Sequence, residues 1–174
     1  MLTVAKELEI RRWLTAKISL ADNVGTGISE PVYFESKEDF AGQMGIVVDA
    51  NTDEQNAVAF ENLLCDFVMT SYVRFDDTGK GTRSCPVMVV TYEFLVFQEF
   101  QRGLENKTNA HNRHIATVLQ VWTKFLTERQ LQPDPVVRHL DLVQTGATVK
   151  NRATEFLPGV EGFYTTLQTK VEVA

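Results

Sequence analysis

The chain has 174 residues, 44% hydrophobic and 23% charged, which fits one globular domain and excludes a disordered chain. Its formal charge of −6 excludes a general affinity for nucleic acid, because an acidic surface repels phosphate. No run approaches the ~18 consecutive apolar residues of a membrane span, so no membrane partner is expected.

The first segment, residues 3–20, reads as a helix. Val4, Leu8, Ile10, Trp13, Leu14 and Ile18 approximate helical spacing, with Arg11, Arg12 and Lys17 between them. Glu7 and Glu9 interrupt the apolar residues, so the segment does not read as a signal peptide. Residues 22–31 carry turn chemistry, and a short strand at 32–35 follows. The stretch 37–45 is ambiguous. The apolar run after Gly45 reads as a buried strand at 46–50. Thr52 with Gln55 fits a capping box, and Ala57, Phe60, Leu64 and Phe67 extend that helix to about residue 69.

Residues 72–75 read as a strand end, and DDTGKGT at 76–82 as a turn or exposed hairpin tip. From Val87 to Phe97 β-branched and aromatic residues dominate, which predicts a long strand buried on both faces for part of its length. Pro86 stands at its start, where a strand tolerates proline. A polar loop at 101–109 leads to a helix over 110–130. Its apolar stripe is Ile115, Val118, Leu119, Trp122, Phe125 and Leu126, and Pro133 and Pro135 stop it. A strand is expected at 136–145 and a loop at 146–162. The closing FYTTLQTKVEV alternates with period two and predicts a half-solvated antiparallel strand.

The expected architecture is one α+β domain over 1–174, with a loop-rich insert around 132–162. Its core is a mostly antiparallel sheet of four or more strands with two or three helices packed on one face.

No motif for catalysis emerges. Gly-Lys-Gly-Thr at 79–82 lacks the upstream glycine of a phosphate-binding loop and precedes a strand, not a helix. His111 and His114 form an HxxH, but a metal needs further ligands, and only His139 and Asp141 offer themselves from a distant strand. No serine stands in a nucleophile elbow. Cys65 reads as a buried small hydrophobe, and two isolated cysteines suit an intracellular chain. No cofactor and no metal are therefore expected.

The order of elements resembles the bacteriophage tail-terminator or tail-completion family. The residues that carry the likeness are a starting helix, the strand ending YEFLVFQEF, the helix HIATVLQVWTKFL and the closing strand FYTTLQTKVEV. The resemblance implies a structural virion protein and not an enzyme. It implies a homo-oligomeric ring, commonly a hexamer, which meets tail tube and neck proteins and is assembled in the host cytoplasm. DNA would pass through its lumen without sequence-specific contact. Loops 76–83, 101–110 and 146–162 are the expected contact segments, through Asp76, Asp77, Lys80, Arg83, Arg102, Lys107, Lys150 and Arg152. Two other readings stand beside this one. One is a neck connector or tail tube subunit. The other is a small α/β enzyme or ligand-binding protein with a pocket near His111, His114 or His139.

Overall fold

A computed structural model describes residues 2–18, 27–28, 35–43, 54–55, 65–83, 85–127, 137–142 and 153–173. In chain order the elements are helix α1 (Val4–Ile18), strand β1 (Gly27–Ile28), helix α2 (Lys37–Gln43) and strands β2 (Phe67–Thr82) and β3 (Cys85–Glu99). Helix α3 (Lys107–Thr127) follows, then β4 (Val137–Leu142), β5 (Thr154–Leu157) and β6 (Val160–Val173). The chain is an α+β protein. Its sheet has the order β1-β2-β3-β6-β4, with β5 also paired to β6. Among the described strands, only the β1–β2 pairing is parallel. Strands β4 and β5 share one edge of β6, beside residues 169–173 and 160–162 respectively.

Pleat alternation divides the sheet into two unlike faces. On the first, Val68, Val90, Tyr92, Phe94, Val96, Leu167, Val171 and Val173 meet Ile10 and Leu14 of α1 and Val121 of α3. Each such side chain, fully buried, contributes roughly 1.5–3 kcal/mol of transfer free energy. On the second face a smaller core gathers at one end. There Phe67 and Phe97 pack with Phe40 of α2, Leu157 and Val160. The Phe67 and Phe97 rings stack at 5.2 Å. Beyond that core the face is mixed, carrying Arg74, Asp76, Glu93 and Gln168 beside Tyr72 and Val89.

The period-two reading of β6 holds residue by residue: Phe163, Thr165, Leu167, Thr169, Val171 and Val173 are all buried. Elsewhere the structure corrects the sequence reading. The 52–69 helix does not reach its expected end, because Cys65 and Asp66 are coil and Phe67 opens β2. Its capping residue Gln55 is helical, while 56–64 lie outside the described residues. The expected strand at 46–50 also lies outside them, as does that at 32–35 except for Glu35, which is a bend.

The loop expected at 76–82 is the far end of β2. A register shift between Asp77 and Lys80 takes up Thr78 and Gly79 as a bulge. Side chains there replace ladder bonds: Thr78 Oγ1 donates to Val87 O at 2.6 Å, and Gly79 N–H donates to Asp77 Oδ1 at 2.9 Å. Gly79 and Gly81 adopt φ of 66° and 90°, which a side chain would resist. The loop expected at 146–162 is in part a hairpin, β5 to β6, turning at Pro158–Gly159.

Helix α3 begins at Asn106, whose Oδ1 accepts from Asn109 N–H at 2.8 Å. Its buried stripe is Ala110, His114, Thr117, Val118 and Val121, so it is rotated from the expected one and Leu119 faces solvent. The rotation puts small and polar residues over Gln98 and Thr165. Thr117 satisfies its own hydroxyl on Arg113 O at 3.2 Å.

Candidate functional site

The sequence-selected contact residues fall at two opposite ends of β3. At the hairpin end, Asp76 pairs with Arg74 at 2.8 Å, Asp77 holds the Gly79 amide, and Lys80 reaches Glu172 at 3.6 Å. Arg83 is exposed in the connecting turn. At the other end, Arg102 and Lys107 share Glu161 Oε2, at 3.0 and 3.8 Å. The β5–β6 hairpin lies at this second end, because Glu99 pairs with Gly162 and Phe100 N–H donates to Glu161 O at 2.7 Å. Lys150 and Arg152 lie outside the described residues. The three expected contact segments therefore do not converge on one surface.

The histidines do not converge either. His114 is fully buried, with Nδ1 3.0 Å from Gln98 Oε1 and Nε2 3.0 Å from Thr165 Oγ1. A neutral ring satisfies both at once, donating through Nδ1 and accepting the threonine hydroxyl at Nε2. Burial, reinforced by Arg113 and His111, pushes its pKa down to about 4. His111 meets the edge of Phe163 at 5.0 Å. His139 and Asp141 stand opposite Glu172 and Lys170 in β6, away from the Thr165 position that His114 contacts. Among the described residues no group of three metal-ligating side chains comes together.

A charged cluster closes the second end. Arg113 donates to Glu99 O at 2.7 Å and to Glu105 Oε1 at 2.8 Å, and its Nη1 lies 3.5 Å from Asp66 Oδ2. Lys37 faces Glu99 at 3.6 Å, and Glu99 Oε2 accepts the Cys65 amide at 2.8 Å. Burial pushes the Asp66 carboxyl up, offset in part by the Glu99 amide and Arg113. Burial acts the same way on Glu105, but hydrogen bonds from Arg113 and the Gln101 amide outweigh it and hold that carboxyl low. Each cation here is met by a carboxylate, so the cluster ties β2, β3, α2 and α3 together and offers no free reactive group among these residues.

Sequence reasoning passed over a different feature. Leu2, Thr3, Val4, Glu7, Phe75 and Met88 line a partly open cleft of about 230 Å³ where the start of α1 crosses β2 and β3. That is several times the roughly 30 Å³ of a water in the liquid. Val4 is 85% exposed and Phe75 51%. Glu7 is buried and bonded to Arg11 at 3.0 Å through Oε2. At the far end of β3, Leu104 stands 84% exposed in the turn before α3. The signal for Leu104 was available, since it is the one apolar side chain in QRGLENKTN. The cleft had none, because its walls come from three elements separate in sequence.

No protein-family model matches the chain, and no curated protein is significantly similar to it. Among the described residues no helix is long and apolar enough to cross a membrane.

Proposed function

We propose that this chain is a structural virion subunit, a ring-forming tail terminator that caps the head-proximal end of a phage tail tube. The observation that carries the reading is the β2–β3 hairpin. Its last pairs, Lys80 with Val87 through Thr82 with Cys85, lie past the point where β6 ends its pairing at Met88–Val173. The sheet thus extends a short arm, with Lys80, Gly81 and Thr82 exposed along it and Arg83 at the tip. Such an arm suits contact with a neighbouring subunit better than it suits a closed pocket. The tail tube, neighbouring neck proteins and passing DNA are the partners this role entails, in the virion and during assembly in the host cytoplasm.

Contact with DNA would be weak and local on this reading. Lys80, Arg102 and Lys107 each face a carboxylate, which reduces the positive field that phosphate would feel. A histidine-based enzyme is less well supported, since both ring nitrogens of His114 are taken up by the core. Electron microscopy of the purified protein tests the proposal. Rings with an open centre are expected, and a field of single-chain particles would contradict it.

A further inference from the structure

We propose that two copies of this chain pair through the outer edge of β2, antiparallel about a two-fold axis at Phe75, so that their sheets run on as one. The inference goes beyond the ring reading, because a ring does not require this contact. The edge itself is the first support. Strand β1 pairs with β2 only at Val68 and Met69. Among the described residues no strand continues that pairing, although β2 runs on to Thr82. Irregularities between Thr70 and Tyr72 and between Asp77 and Lys80 bound six residues, Tyr72–Asp77, in unbroken register with β3. A regular edge of that length, with no proline in it, is a template for another strand.

The order of charges selects the occupant and the register. A two-fold axis normal to the sheet keeps the same face of both copies on the same side. Antiparallel pairing must then match residues of like face, which leaves only registers centred on one residue. Centring on Arg74 sets arginine against arginine, and centring on Asp76 or Asp77 sets acid against acid. Centring on Val73 brings no opposite charges together, and centring on Tyr72 runs into the irregularity at Ser71. Centring on Phe75 sets Arg74 of each copy opposite Asp76 of the other, and one Phe75 ring opposite its mate. Charges that would repel many strands at this edge therefore attract a second copy.

The groups concerned are accessible. The Arg74 and Asp76 side chains are 58% and 38% exposed, and Phe75 is 51% exposed on the opposite face. Within one copy, Arg74 uses Nε and Nη2 on a single oxygen, Asp76 Oδ2, each at 2.8 Å. A guanidinium has five N–H donors and a carboxylate two acceptor oxygens, so this pair can persist while each member takes a partner across the axis. The interface is isologous: the same patch serves both copies, and the contact closes at two.

The test uses three full-length variants: Arg74→Asp, Asp76→Arg, and the double exchange of both. Each single variant sets like charges opposite each other across the axis, and the double exchange restores opposite ones. Circular dichroism with a thermal melt checks folding, and the double exchange decides the matter even if a single variant fails to fold. By light scattering, each single variant is expected to have half the parent's mass. Their one-to-one mixture and the double exchange are expected to recover the parent's mass. A halved mass above the 19.7 kDa of one chain supports this contact and the ring together, and a halved mass of 19.7 kDa supports this contact against the ring. Single variants that keep the mass of an oligomeric parent overturn the contact and leave the ring standing. Failure of the double exchange to recover the parent's mass overturns the contact as well. A monomeric parent overturns both.

Discussion

His114 of α3 and Gln98 of β3 are joined by a buried hydrogen bond of 3.0 Å across the helix–sheet interface, and Thr165 of β6 completes the arrangement. The ring holds three elements together only while it is neutral. Its folded pKa, about 4, lies below the ordinary value of 6.5. Below pH 6.5 the unfolded chain binds a proton that the folded chain refuses. Stability is thus fully present above that pH and falls as pH drops toward 4, by about 3 kcal/mol in total from this group. Urea denaturation at stepped pH should show a shallower slope across this window for His114→Gln than for the parent. Equal slopes would remove His114 from the account.

Gly162 is a second such joint. A Cβ there would run into the Gln98 carbonyl and the tip of the Phe97 ring, and a backbone carbonyl cannot swing away. Gly162→Ala should cost roughly 2–4 kcal/mol, by overpacking. Gly159 differs, since its φ of 76° has open space around it. Gly159→Ala should cost only about 1–2 kcal/mol, from conformation alone. Denaturation midpoints of the two variants give the comparison, and the reverse order would be inconsistent with the packing described.

Arg113 anchors the charged end. Arg113→Met should cost about 2–3 kcal/mol, because Asp66 and Glu105 would keep their partial burial and lose their cation. Arg113→Lys should recover little, since an ammonium cannot reproduce the forked contacts to Glu105 and Glu99 O. Full recovery by lysine would show that charge alone matters there.

Cys65 is buried, and burial together with the Glu99 carboxylate pushes its thiol up to about 12. In a Cys85→Ser background, native Cys65 should react with a thiolate-selective reagent about 10³-fold more slowly than a free thiol. Labelling at the free-thiol rate in native protein would contradict the burial.

Much of the fold was legible because burial imposes its own periods. Strand β6 alternated cleanly, and β3 was an apolar run from Val87 to Phe97 interrupted at Thr91 and Glu93. The far end of β2 was not legible, because Asp77, Thr78, Gly79 and Gly81 have turn propensities and serve a bulge instead. Phe67 fitted a helical stripe as well as a strand, and its pairing with Phe97 in the β2–β3 ladder separates the two. The charged residues of the contact segments could be named from sequence. Their separation to opposite ends of β3 could not, since it depends on β2 continuing to Thr82 and on Glu99 pairing with Gly162.

The assembly reading is tested most directly by the mass of the native protein in solution across a range of concentrations. A closed ring predicts a single mass, a fixed multiple of 19.7 kDa, that stays constant above the association threshold. A mass of 19.7 kDa at every concentration would contradict the account.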